Sequence, residues 1–248
     1  MHFFFAIFVI KFTPLKIELC VSSIEAITAA KDLNFDRIEI CANLEQGGLT
    51  PSSGFIQTAL SHHIETHVLI RPRTGGFVYT PKEIELILAE IEEVSKLDVK
   101  GIVVGVLDER MRLNHHALKE LRSVWGDRDI TFHRAFDDLI EWKQELSWLM
   151  DQGFSRVLSS GVSRSIENGI TNLAEMKKHA SGKIEIMAGG GINLANIGPI
   201  LKNAKPDAIH FSGTAKKSVD PDSLFSENRL VFDPSKASKL LQSCRNFM

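Results

Sequence analysis

The sequence predicts an α/β fold, a single (β/α)8 TIM barrel, on two observations. Eight short β-branched or apolar runs alternate with stretches of helical periodicity. No Pro/Gly/Ser-rich linker and no shift in composition divides the 248 residues. Parallel strands joined by helices need right-handed crossovers, and eight of them at this length close most economically into a barrel. An open, doubly wound sheet is the alternative.

The predicted strands are short runs rich in Val and Ile. They are residues 16–20, 37–41, 66–70, 101–107, 130–136, 156–160, 184–187 and 208–211. The clearest helix spans 81–97, because it begins with Pro81 and carries Ile84, Ile87 and Ile91 at helical spacing. A last helix is predicted over 233–244, and a loop or an insertion over 219–229. We divide the chain into an apolar extension (1–14) and a barrel domain (15–248).

Composition limits the classes of function. A net charge of −2 without a basic face argues against nucleic acid as a partner. Three cysteines without paired spacing favour a reducing compartment. The apolar run from Phe3 to Val9 is too short to span a bilayer, and no small-residue cleavage site follows it. We therefore expect a plain extension and no stable membrane insertion, with an export signal as the alternative.

Polar side chains occupy the inward-facing parity of several predicted strands. Barrel interiors are usually filled by Val, Ile and Leu, and functional groups gather at the C-terminal strand ends. Here the inward positions hold the candidate catalytic residues Glu18, Glu39, His67, Arg71, His133, Asp137 and His210. Buried ionised groups are costly unless paired. The set is therefore either an ion-pair network alone or an active site, and its expected place at a barrel mouth favours the active site.

Two further features indicate an anion or phosphate site. Arg73 follows Arg71 at the end of the third predicted strand, and the two guanidinium groups can clamp an anion. The turn after the seventh strand contains Gly189, Gly190 and Gly191 and leads into a helix, in the region where barrels often bind phosphate. A short turn without any anion is the alternative for the glycines.

Cys20 and Cys41 are candidate metal ligands. Both have inward parity near the ends of neighbouring strands, which lie only about 4.8 Å apart. Soft thiolates favour Cu(I), and Met187 or a histidine would complete the site. The alternative is that both cysteines are small buried hydrophobes. We exclude Cys244, because it lies near the end of the chain on a segment expected to fray.

Six motifs, taken in order, resemble those of the CutC copper homeostasis family. They are KIELCV, DRIEICANLEQGGLTPSSG, HVLIRPRTGGFVYT, TFHRAFD, AGGGIN and IHFSG, and the resemblance covers roughly residues 15–215. It implies a cytoplasmic barrel that handles copper, often as a homo-oligomer, with Cu(I) attributed to the cysteines that match Cys20 and Cys41. It implies no reaction.

Two functional hypotheses follow. In the first, Cys20 and Cys41 bind a copper ion as Cu(I), and the surrounding charges order the strand ends. In the second, the barrel is an enzyme (an isomerase, lyase or hydrolase) that acts on a small anionic or phosphorylated molecule. Arg71 and Arg73 would then bind the anion, and His133 or Glu39 would transfer a proton.

Overall fold

The computed structural model describes residues 14–219 and 227–247, so nearly all of the predicted apolar extension lies outside the described residues. Eight parallel strands close into a barrel in chain order, as the sequence predicted. They are β1 (Lys16–Val21), β2 (Arg37–Ile40), β3 (Thr66–Leu69), β4 (Gly101–Val104), β5 (Asp129–Phe132), β6 (Arg156–Ser159), β7 (Glu185–Ala188) and β8 (Ala208–Phe211).

A helix follows each strand of the barrel. The helices are α1 (Ile24–Asp32), α2 (Ser53–Ser61), α3 (Pro81–Ser95), α4 (His115–Trp125), α5 (Trp142–Asp151), α6 (Ile166–Ala180), α7 (Ile197–Asn203) and α8 (Pro234–Arg245). Local sequence sets where they begin: Thr80 and Glu83 form a capping box around Pro81 at the start of α3. Among the described helices, none is both long and apolar enough to cross a membrane.

Strand parity separates two kinds of apolar packing. The outward residues, such as Ile17, Leu19 and Ile38, join the helices in one large core. The inward residues form two small clusters inside the barrel: Cys20, Cys41, Leu69 and Val103 in one, and Leu158, Met187 and Ala208 in the other. The predicted register is therefore right, and the remaining inward positions are left to polar side chains.

Four local predictions were wrong. β4 ends at Val104 and not at residue 107, because Leu107 pairs with Val78 and Leu113 outside the barrel sheet. β5 ends at Phe132, because a short 3-10 helix over Arg134–Asp138 follows, with the His133 ring accepting the Ala135 N–H at its start. The predicted loop over 219–229 overlaps an antiparallel hairpin of β9 (Thr214–Val219) and β10 (Glu227–Phe232), whose pairing fixes both strands. Cys244 is not on a frayed tail, because it is buried in α8, where burial raises its thiol pKa to about 12.

Two glycines bring α6 into backbone contact with the loop after β6. A Cβ atom on Gly169 would lie 1.7 Å from the carbonyl oxygen of Ser160, and one on Gly161 would lie 2.1 Å from that of Gly169. Gly161 also has a positive φ of 81°. Only glycine fits this approach, which places the loop after β6 beside the barrel mouth.

We predict opposite effects for two glycine-to-alanine substitutions. Gly169→Ala should lower the free energy of unfolding by about 1–3 kcal/mol, because the added methyl group forces α6 away from the loop. Gly54→Ala should raise it by roughly 0.5–1 kcal/mol, since that helical site has nothing within 4 Å and alanine favours the helix. Urea unfolding measures both, and equal effects would contradict the close contact.

Candidate functional site

Glu18 is an ionisable group of the barrel interior with no exposed surface. The register of β1 with its two neighbours places Arg37 and His210 beside it. Arg37 Nε donates to Glu18 Oε2 at 2.5 Å, and His210 Nδ1 donates to Oε1 at 2.6 Å. Burial opposes ionisation, yet the Arg37 charge and the His210 hydrogen bond hold the pKa of Glu18 well below its usual range.

The ion pairs continue toward the N-terminal ends of the strands. Arg37 Nη2 donates to Glu185 Oε1 at 2.6 Å, and Arg156 Nε donates to the same oxygen at 3.2 Å. Arg156 also donates to Asp129 and to Nδ1 of His67, each at 3.2 Å. His67 therefore belongs to this network and does not line the cavity at the other end of the barrel.

A histidine and two carboxylates, His67, Glu65 and Asp129, lie close enough to hold a metal ion. Guanidinium groups already occupy their surroundings: Arg156 lies 3.2 Å from Asp129 and Arg37 4.0 Å from Glu65. His67 Nε2 lies 3.3 Å from a Glu65 oxygen. These ion pairs account for the cluster.

A cavity of about 570 Å³ opens among the C-terminal strand ends. Four of the seven candidate catalytic residues line it: Glu39, Arg71, His133 and His210. The lining also contains Cys20, Gly190 and Gly191 among the other predicted residues, and Leu69, Phe77, Arg134 and Lys236 among those that sequence analysis did not single out. The polar mouth expected from strand parity is therefore present, but the residues that line it are only partly those predicted.

Several predicted residues lie elsewhere. Asp137 is covered by donors, accepting from the Ser159 hydroxyl at 2.6 Å and from the Ser160 and Val162 amides at 3.0 and 3.1 Å, so it fixes the loop after β6. Arg73 pairs with Glu83 and donates to nearby carbonyls, and it does not line the cavity. Three more predicted residues are outside the lining: Glu18, which contacts His210 from the network, Gly189, which packs against Leu158, and Cys41, which is buried against Cys20.

Arg71 holds two loops together at the cavity wall. Nη1 donates to the carbonyls of Gln46 and Gly48 at 3.0 and 2.8 Å, and Nη2 donates to that of Gly75 at 2.7 Å. These bonds join the loops that follow β2 and β3. Its Nε atom is buried and has no partner within the described residues.

The two thiols lie together, as predicted. Their Sγ atoms are 3.8 Å apart, and Cys20 Sγ is also 3.8 Å from Glu39 Oε1. Possible ligand atoms of Cys20, Glu39 and His210 all lie within 4.8 Å of one another. Met187 does not join them: its sulfur accepts from Arg37 at 3.4 Å.

Burial and neighbouring charges shift the pKa values of the groups around the Cys20 thiol. The hydrogen bond with Cys41, burial and the nearby Glu39 charge raise the pKa of the Cys20 thiol well above its usual range. Burial raises the pKa of Glu39 to about 7, with His210 opposing the rise and Glu18 adding to it. Burial lowers the pKa of His210, but Glu39 and the bond with Glu18 outweigh it and raise the value. A carboxyl group with a pKa of about 7 thus lies beside an imidazole whose pKa is raised, and both are groups that can transfer protons.

His133 is held as a neutral hydrogen-bond donor. Its Nδ1 accepts the Ala135 amide at 3.1 Å, so the ring proton lies on Nε2. Burial, aided by the Arg71 and Arg134 charges, lowers its pKa to about 3. A Cβ on Gly105 would lie 2.2 Å from the ring, and the Phe77 ring centroid is 4.7 Å from that of His133.

Sequence reasoning missed two cations of the cavity. Arg134 follows His133 in the TFHRAFD motif, but the 3-10 helix breaks the strand parity on which the prediction relied. Lys236 lies at the start of α8, and its Nζ donates to the carbonyl oxygen of Thr214 at 2.7 Å. No local signal indicated that α8 and the hairpin would reach the mouth.

Comparisons with known proteins agree with this architecture. A model of the CutC family matches residues 15–215. A CutC family protein from Glaesserella parasuis is 36% identical over 213 residues, 86% of this chain and 88% of the relative. One from Vibrio atlanticus is 38% identical over 205 residues, 82% and 83%. A solved CutC structure from Streptococcus agalactiae superposes with a TM-score of 0.75 at 29% identity, covering 79% of this chain and 97% of that one.

More distant barrels show the fold alone. A phosphoribosylanthranilate isomerase from Pyrococcus furiosus has a TM-score of 0.55 at 13% identity and covers 94% of this chain and 99% of its own. Identity this low transfers neither a reaction nor a substrate.

We predict that neutral, buried His133 makes the fold acid-sensitive. Between its folded pKa of about 3 and its unfolded value of 6.5, only the unfolded chain takes up the proton, so stability falls as pH drops through this window. From pH 7.5 to pH 5 the wild type should lose about 2 kcal/mol more than His133→Asn, whose side-chain oxygen can still accept the Ala135 amide.

Urea unfolding at the two pH values measures the difference. His116→Asn is the matched control, because that histidine side chain is 87% exposed on α4. Equal pH dependence in the wild type and His133→Asn would contradict the burial of a neutral imidazole.

Proposed function

The chain belongs to the CutC family, and on that premise we propose that it is a copper homeostasis protein that binds Cu(I) through Cys20 and Cys41. The solved relative from Streptococcus agalactiae carries the name of a copper homeostasis protein. The observation that carries the proposal is the 3.8 Å separation of the two Sγ atoms, with Cys20 lining the open cavity and Cys41 buried directly behind it.

The chemistry of the thiol pair suits a soft ion. Metal–thiolate bonds are about 2.3 Å long, so one ion can reach two sulfur atoms at this separation. Thiolates select Cu(I) over harder cations. His210 and Glu39 supply further ligand atoms next to Cys20.

Binding requires that the thiol protons leave. The pKa of Cys20 is raised, so the ion must displace a proton that the apo site holds firmly. Glu39, whose oxygen lies 3.8 Å from the Cys20 sulfur, is the nearest acceptor of that proton. Cu(I) affinity should therefore fall on acidification.

A second candidate function is favoured by the cavity itself. Its volume of about 570 Å³ matches that of small-molecule sites, and Glu39, His210 and His133 present acid–base and donor groups there. Arg71, Arg134 and Lys236 line the same space and favour an anion. This arrangement suits an isomerase, lyase or hydrolase that acts on a small anionic or phosphorylated molecule.

The family resemblance extends the proposal to a homo-oligomer in the cytoplasm. Analytical ultracentrifugation of the metal-free protein tests the assembly, and a monomer at micromolar concentration would contradict it. Fractionation of cells that express the full chain tests the compartment.

We predict that Cys20 and Cys41 together determine the affinity of the protein for Cu(I). Titration against a calibrated competing chelator under reducing conditions should show a loss of about 100-fold or more in Cys20→Ser/Cys41→Ser, because both soft ligands are gone. Each single variant should lose part of the affinity. Cys244→Ser is the control, since that thiol is buried in α8.

Circular dichroism must show that each variant is folded. An unchanged Cu(I) affinity in the folded double variant would refute the copper site and leave the cavity enzyme as the better account. A measured affinity that does not fall between pH 8 and pH 6 would contradict ligation by thiols that must lose their protons to bind the ion.

A further inference from the structure

Three buried polar atoms of cavity-lining residues have no hydrogen-bond partner within the described residues: Glu39 Oε2, Arg71 Nε and His133 Nε2. Native proteins leave few buried polar atoms unpaired, so such atoms call for an explanation. The fourth such atom in the described chain, His67 Nε2, lies in the ion-pair network beside Glu65. The other three belong to residues that line one cavity.

We propose that this end of the cavity is a binding site for a small hydroxylated anion, a hydroxycarboxylate or the phosphate ester of a small polyol. The proposal uses the cavity of the second candidate function and names its ligand class. It does not require that Cu(I) binds or that a reaction follows.

The three atoms specify what the ligand must offer. Arg71 Nε–H can only donate, and His133 Nε2–H also donates because Nδ1 already accepts the Ala135 amide. Glu39 Oε2 is a carboxyl oxygen that can accept from a hydroxyl group. A ligand that pairs with all three therefore offers acceptor oxygens to the two N–H groups and an O–H group that donates to the carboxyl oxygen.

The charge of the lining favours an anion. Arg71, Arg134 and Lys236 line the cavity, and Glu39 is the only carboxylate among its described lining residues. The Lys236 ammonium directs one donor to the Thr214 carbonyl, and an ammonium carries three. Both a carboxylate and a phosphate group can accept hydrogen bonds from these cations.

Phe77 packs against two of the three residues that carry the unpartnered atoms. The three unpartnered atoms are covered in this structure, although their residues line the cavity. The Phe77 ring lies 4.7 Å from the His133 ring centroid and 5.2 Å from the Arg71 guanidinium carbon. It therefore contacts two of the three donor and acceptor residues from the loop between β3 and α3.

Calorimetric titration of the full, metal-free chain tests the site. D-glycerate probes a hydroxycarboxylate and glycerol 3-phosphate a phosphate ester. Propionate, which lacks hydroxyl groups, and glycerol, which lacks a charge, are the matched controls. We expect at least one hydroxylated anion to bind tenfold or more tightly than either control, with a change in the ¹⁵N shift of His133 Nε2.

His133→Phe, checked for folding by circular dichroism, should weaken that binding at least tenfold, and exposed His116→Phe should leave it unchanged. The wild-type ¹⁵N shift keeps the test valid if His133→Phe does not fold. No preference for the hydroxylated anions, or binding that leaves the His133 signal unmoved, would overturn the proposal. The Cu(I) titration is made without these probes, so either proposal can fail alone.

Discussion

Burial of Glu18 inside a closed barrel requires cationic partners at hydrogen-bond distance, because an ionised carboxylate taken out of water is otherwise strongly destabilising. The flanking strands supply them: Arg37 from β2 at 2.5 Å and His210 from β8 at 2.6 Å. Arg37 is itself buried and donates to a second carboxylate, that of Glu185. A series of ion pairs thus extends from Glu18 to the N-terminal ends of the strands, where the Asp129 side chain is half exposed.

The same interaction prepares the cavity at the other end. His210 is fixed by Glu18 on one side and lies close to Glu39 and Cys20 on the other. A change in the network must therefore reach the proton balance of the carboxyl and thiol groups that any ion or small molecule would meet. This coupling is shared by both functions proposed for the cavity, since each uses Glu39 and His210.

Much of this arrangement follows from strand parity. A period of two placed Cys20, Glu39 and His210 on the inner face, and all three line the cavity. The same rule fails where the backbone leaves the strand. Asp137, on the 3-10 helix after β5, is captured by the loop after β6, and Arg73 pairs with Glu83 at the start of α3. Strand parity predicts that a side chain points into the barrel, but not how far along the barrel axis it lies. Glu18 and His67 were therefore expected at the mouth but belong to the ion-pair network.

The remaining errors arise from long-range packing. The β9–β10 hairpin forms through pairing across residues that carry no strong strand pattern, and it connects β8 to α8, from which Lys236 reaches the cavity. No local sequence pattern predicts which loops will contact one another at the mouth of the barrel. The unpartnered atoms of Arg71 and His133 are likewise a property of the assembled site.

A double-mutant cycle on Glu18 and Arg37 tests the dependence on the buried pair most directly. Glu18→Gln and Arg37→Met should each lower the free energy of unfolding by about 3–5 kcal/mol, because each strands a buried charge. The double variant should lose clearly less than the sum, with a coupling of roughly 1–3 kcal/mol. Additive losses, or single variants as stable as the wild type, would show that the barrel interior does not depend on this ion pair.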